Sequence, residues 1–181
     1  MPETNTKAVL EAEEINEILD RIATEIIERS RERKNFMLVG VYQRGTPIAQ
    51  RLAKKIKKIT GNETQVGSLD VRPYRDDLKG KTPEGPTETN LPAPVAGRHV
   101  ILVDDVVESG RTTRAAMDAL VSLGRPKSIQ LVALVDRGHR DFPIQPDYVG
   151  RRIPTASRER VFVRLVETDG KDAVTVETAE T

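Results

Sequence analysis

The densest stretch of chemically capable residues is Val103-Asp-Asp-Val-Val-Glu-Ser-Gly-Arg-Thr-Thr113. Ser109, Gly110, Thr112 and Thr113 at a helix start would present backbone N–H groups and hydroxyls to an anion, with the positive end of the helix dipole behind them. Gly110 permits the close backbone approach that a phosphate requires, and Arg111 adds positive charge. Asp104 and Asp105, just ahead of this cradle, are wrong for phosphate itself. They suit the vicinal hydroxyls of a sugar attached to it, or water held on a metal. The plainer reading is a loop start followed by a Ser-Gly helix cap. The Gly-x-x-x-x-Gly-Lys-Ser/Thr spacing of a P-loop is absent. Two further stretches carry charge beside glycine, Gln43-Arg44-Gly45 and Asp136-Arg-Gly-His-Arg140.

These stretches need scaffolding, and the surrounding pattern supplies it. Glu11 to Arg33 places Ile15, Ile18, Leu19, Ile22 and Ile26 at helical spacing. Phe36 to Tyr42 reads as a buried strand, and Thr46-Pro47 as the N-cap and first-turn proline of a second helix ending at Gly61. Val66 to Val71 is a third apolar segment. Lys79 to Gly97 is rich in Pro, Gly and Thr without periodicity, the pattern of a functional loop or insert. Val100 to Val103 is a continuous apolar strand, followed by a helix from Thr113 to Leu123 and a strand from Ile129 to Val135. Tyr148-Val149 and Val161 to Val163 read as short strands, and the polar end from Glu167 to Thr181 as partly frayed. Alternating strands and helices predict an α/β fold with a mostly parallel sheet, whose ligands bind beyond the carboxyl ends of the strands. All three charged stretches lie there.

A chain of 181 residues is most simply one domain spanning 1–181. With 29 Lys and Arg against 28 Asp and Glu, its net charge of +1 excludes nucleic-acid binding by bulk charge and leaves a local basic patch open. Cys is absent, which excludes a disulfide framework, a thiolate metal site and a cysteine nucleophile. No apolar run approaches the ~18 residues of a membrane span, and the start lacks the pattern of a signal peptide, so a soluble cytoplasmic protein without a membrane partner is expected. Lys54, Lys55, Lys57 and Lys58 read as a solvated helix face, His99 as the lead into a strand, and His139 as structural or at an interface rather than a metal ligand.

Four apolar residues, two acids and a turn with Ser-Gly-x-Thr resemble the signature with which type I phosphoribosyltransferases bind 5-phosphoribosyl 1-diphosphate (PRPP). Tyr74-Arg-Asp-Asp-Leu78, Met117-Asp-Ala-Leu120, Gly124-Arg-Pro126, Leu134 to Arg140 and Ile153-Pro-Thr155 resemble the PyrR family, and the likeness spans about Val9 to Val166. Members of that family resemble uracil phosphoribosyltransferases that also regulate pyrimidine genes by binding mRNA. The resemblance implies a type I phosphoribosyltransferase fold, a mostly parallel sheet flanked by helices, with a small hood and a mobile loop, about residues 75–97, over the site. It implies PRPP contacts from Gln43, Arg44, Gly45, Asp104, Asp105, Val106, Val107, Glu108, Ser109, Gly110, Arg111, Thr112 and Thr113. Arg44 and Gly45 would form a pyrophosphate loop, where relatives often have a non-proline cis peptide. Tyr74, Arg75 and Asp76 would root the mobile loop. Asp136, Arg137, Arg160 and Val161 would form the nucleobase pocket. Arg44, Arg75, Asp104, Asp105 and Glu108 are the expected catalytic set. Mg²⁺ would ride on the diphosphate near Asp104 and Asp105, partly through water and without a direct protein ligand. The implied reaction joins uracil to PRPP to give UMP and diphosphate, in a homodimer or higher homo-oligomer, with the pyr mRNA leader as a further partner.

Two positions depart from that pattern. Glu108 stands where PyrR relatives usually carry an aromatic, and an acid there resembles the 6-oxopurine phosphoribosyltransferases, in which a carboxylate handles a purine proton. The first-helix and late-chain positions matching the mRNA-binding surface are Asn16, Glu17, Asp20, Thr24 and Gln145, of which two are acids that repel phosphate. Arg21, Arg137 and Arg140 remain basic. With 3 Phe, 3 Tyr and no Trp, there is little to stack on single-stranded RNA.

Overall fold

The structure is a computed structural model that describes residues 5–33, 35–78 and 87–178. In chain order it forms β1 (Asn5–Glu11), α1 (Ala12–Arg29), β2 (Phe36–Val41), α2 (Gly45–Thr60), β3 (Val66–Leu69), two single 3₁₀ turns (Arg72–Tyr74 and Asp76–Leu78), β4 (His99–Val107), α3 (Arg111–Leu123), β5 (Ser128–Asp136), β6 (Tyr148–Arg152), β7 (Glu159–Arg164), α4 (Val166–Asp169) and β8 (Ala173–Thr178). The larger sheet is parallel, in the order β3-β2-β4-β5-β6. Strand alternation divides its side chains between two cores. Leu38, Ile101, Val103, Val132 and Leu134 pack with α1 and α2, and Met37, Val39, Val100, Leu102 and Leu131 pack with α3.

The strands run further than their apolar runs. β4 continues past Val103 because its ladder with β5 persists to Val107 opposite Asp136, so Asp104 and Asp105 lie in the strand and not in the loop after it. At the start of α2, Thr46 is not the N-cap. Arg44 holds that position in helical conformation (φ −81°, ψ −21°), while the Thr46 hydroxyl shares a 2.9 Å hydrogen bond with Ser68 Oγ. Gly61 ends α2 at φ 75°, the left-handed stop its position predicts.

The carboxyl-terminal segment differs most. Residues expected to fray from Glu167 form α4 and then β8, the middle strand of a second, antiparallel sheet in the order β1-β8-β7. Val174 is fully buried there. The Val-Thr-Val-Glu alternation of β8 is strand-like, but its partners come from the two ends of the molecule, and a lone alternating hexapeptide is not stable by itself. β1 is hidden in the sequence for the same reason. Of the aperiodic loop, residues 79–86 lie outside the described residues. Residues 87–97 are tied down, with Asn90 bridging Ser68 and Val95 buried in the α3-side core, so that loop is narrower than its composition implies.

Candidate active site

The ends of β2, β4 and β5 and the face of β7 enclose one cleft. A Cβ on Gly40 would lie 2.3 Å from Thr46 Cα, and one on Gly45 would lie 2.2 Å from the Val103 carbonyl oxygen. Only glycines let the start of α2 press so closely on β2 and β4, which brings Arg44 beside Asp105. The peptide between Tyr42 and Gln43 is cis. Gly110 has φ 89° and precedes the first turn of α3, and the Arg111 N–H donates to Ser109 Oγ at 3.2 Å. The loop after β5 braces this turn, since Asp141 N and Phe142 N both donate to the Ser109 carbonyl, at 2.9 and 3.1 Å.

The main cavity, about 560 Å³, is lined by Arg44, Arg75, Asp77, every residue from Asp104 to Thr113, Asp141, and Val161 to Arg164 of β7. An adjoining space of about 230 Å³ takes in Tyr42, Gln43, Arg44, Arg75, Asp104, Asp105 and Thr112. A third, about 340 Å³, lies between Glu108, Arg137, Ser157, Arg160, Val161 and Phe162.

Charge is tightly organised around the cleft. Asp104 is 5% exposed and accepts the Asp105 N–H at 2.9 Å. Burial, reinforced by the neighbouring Asp105 charge, holds its carboxyl well above the usual carboxylate range. Asp105 accepts the Val106 N–H at 2.8 Å. Arg44 donates to Asp169 at 2.8 Å, and that hydrogen bond holds the Asp169 carboxyl well below its usual range. Arg75 is paired with Asp77 at 2.5 Å. Arg111 pairs with Asp76 at 2.9 Å and Asp141 at 3.3 Å, with its guanidinium 5.0 Å from the Phe142 ring centre.

Most of the sequence-predicted residues converge, but some do not. The Asp136 side chain lines none of these cavities; it accepts Gly138 N at 3.0 Å and Arg140 Nη2 at 2.9 Å, and so fixes the turn after β5. Gly45 lies beneath the cleft. Tyr74 points away and shares a hydrogen bond with Ser122. Asp76 serves Arg111 and, more distantly, Arg114. On α1, Asn16 and Asp20 both accept from Lys55 of α2, and Arg21 donates to the Val149 and Gly150 carbonyls of β6. The sequence pattern does not single out Asp77, Asp169, Ser157 or Phe162. Acid density in Glu167-Thr-Asp-Gly-Lys-Asp172 was the available signal for Asp169, and a glycine inside an apolar strand was the signal for Gly40.

Fold and cleft together define a phosphoribosyltransferase: the family model described as "Phosphoribosyl transferase domain" matches residues 5–167. The hypoxanthine phosphoribosyltransferase of Trypanosoma cruzi superposes with a TM-score of 0.73 over 96% of this chain and 97% of its own, at 20% identity, which establishes the shared fold. "Bifunctional protein PyrR" of Pelotomaculum thermopropionicum is 52% identical over 95% of this chain and 96% of its own. The protein of the same name from Deinococcus radiodurans is 52% identical over 92% and 91%. The chain belongs to the PyrR family.

Proposed function

We propose that this protein transfers the phosphoribosyl group of PRPP to uracil, releasing diphosphate and forming UMP. One arrangement carries the reading: the Asp104-Asp105 pair precedes the open first turn of α3 on a cavity that also receives Arg44 and Arg75. Backbone N–H groups from Ser109 to Thr113 bind the 5'-phosphate at the helix N-terminus. Asp105, with Asp104 behind it, accepts from the ribose hydroxyls. Arg44 and Arg75 receive the charge that grows on the departing diphosphate, while positive charge developing on the ribose faces the Asp104-Asp105 pair. Arg137, Arg160, Val161 and Phe162 enclose the base.

The carboxylate oxygens of Asp104 and Asp105, beside two arginines, fit a Mg²⁺ carried on the diphosphate and held partly through water. When bound, it supplies further neutralisation of the leaving group. The relatives' name, "Bifunctional protein PyrR", favours a second role, and the family resemblance makes regulation through the pyr mRNA leader that role; Glu17 and Asp20 on α1 and the engagement of Arg21 argue against α1 as the contact surface. A cytoplasmic homo-oligomer accords with both roles.

The test is nucleotide formation from PRPP and Mg²⁺ with uracil, orotate, hypoxanthine, guanine and xanthine in parallel. UMP is the expected product. A purine nucleotide alone would overturn the choice of base, and no product with any of them would overturn the enzyme reading.

A further inference from the structure

We infer that Glu108 is a positioning residue of the nucleobase pocket, acting through Arg137, and that it does not shuttle a proton. The inference rests on the phosphoribosyltransferase reading above. Arg137 is a buried cation, 5% exposed, at the end of β5. Its Nη1 pairs with the Glu108 carboxylate, and its Nη2 donates to the carbonyls of Ala156, at 3.3 Å, and Glu159. Its Nε is buried without a hydrogen-bond partner. Among the described residues, Glu108 is the one carboxylate paired with it, because the adjacent Asp136 is committed to Arg140 and Gly138 N.

Arg140 grips the same loop from the other side, its Nη1 donating to the Glu108 carbonyl at 2.8 Å. Glu108 and Arg137 both line the 340 Å³ cavity, and through Arg137 the pair ties the loop after β4 to the turn before β7. The Arg137 side chain is 4% exposed and that of Glu108 54%, so it is the buried guanidinium that is left without a countercharge when Glu108 is neutral. A proton shuttle at Glu108 would strip Arg137 of its countercharge in every cycle. Around the pair stand Arg140, Arg160 and Ser157, together with two carboxylates engaged elsewhere: Asp136 on Arg140 and Glu159 on the Ala156 N–H at 2.7 Å.

Wild type, Glu108→Gln and Glu108→Ala are compared, each checked for folding by circular dichroism. Steady-state kinetics with uracil and PRPP give kcat, KM and the pH profile of kcat; calorimetry gives the Kd of UMP without turnover. Glu108→Gln keeps an acceptor for Arg137 but loses the charge, and we expect its kcat within about 3-fold of wild type, its pH profile unchanged and its uracil KM raised about 5- to 10-fold. Glu108→Ala raises KM about 30-fold or more, and the UMP Kd rises in parallel in both variants. A loss in kcat of about 100-fold in Glu108→Gln, or disappearance of one limb of its pH profile, would overturn the inference in favour of a proton shuttle. Unchanged KM and Kd in both variants would overturn it as well. If wild type forms no nucleotide, the enzyme reading fails while the UMP Kd series still decides the brace; wild type that also binds no UMP would overturn both.

Discussion

Arg44 and Asp169, 125 residues apart, meet in a two-point ion pair, Nη2 to Oδ1 at 2.8 Å and Nε to Oδ2 at 3.3 Å. Asp169 is itself held by Leu165 N at 2.9 Å and by the Thr168 hydroxyl at 2.8 Å. The guanidinium that faces the leaving diphosphate in our reading is thus aimed from α4, the connection between β7 and β8 of the second sheet. Arg44→Ala should lower kcat/KM for PRPP by about 100-fold, the scale of one preorganised donor to a developing anion. Asp169→Asn leaves the arginine present but loosely aimed, and should raise the KM for PRPP about 3- to 10-fold with kcat largely kept. Steady-state kinetics on the pair decides it: an equal loss in both variants would mean that Asp169 has a direct role of its own.

Asp104 gives a prediction with a defined sign. Its carboxyl lies above the ordinary value in the folded protein, so the fold binds that proton more tightly than the unfolded chain does. The stabilisation is complete below the ordinary carboxylate pKa and is lost as pH rises through the raised one. Asp104→Asn removes the burden of ionising this buried group. Measured in chelator, the variant should melt about 2–4 °C above wild type near pH 8, with the gap closing toward about pH 4. Asp105→Asn should impair PRPP use by about 100-fold, and full activity in it would refute the site.

Asp70 works in the opposite direction. Its side chain is almost fully buried and accepts from Arg72 N at 3.1 Å, Arg72 Nη2 at 2.6 Å and Glu88 N at 3.2 Å, pinning both stems that flank residues 79–86 to the end of β3. The Arg72 hydrogen bond, against the opposing effect of burial, lowers its carboxyl to about 2. That stabilisation is present above the ordinary carboxylate pKa and is lost as pH falls through about 2. Asp70→Asn should cost on the order of 1–2 kcal/mol at pH 7 in urea unfolding.

The second sheet should contribute to stability in its own right. Val174→Ala, in the buried middle of β8, should lower the unfolding free energy by about 2 kcal/mol, read from the urea midpoint. A frayed tail would show no change.

Local chemistry made much of this protein legible in its sequence. The isoleucine spacing of α1, the glycine stop of α2, the apolar runs of β2, β4 and β5 and the Ser-Gly-Arg-Thr turn opening α3 each depend on residues a few positions apart, so pattern alone reveals them. The convergence of charged strand ends was readable too, because parallel strands with helical crossovers bring their carboxyl ends to one edge. The turn of Asp136 toward Arg140, the hold of Arg137 on Glu108, the pairing of β8 with β1 and the reach of Asp169 to Arg44 were decided only by tertiary structure. Each joins partners tens of residues apart or depends on which of several nearby opposite charges lies within 3 Å or so, the range at which charged hydrogen bonds form. Periodicity and turn chemistry carry no record of such distances, whereas the packing of two sheets around one cleft determines them.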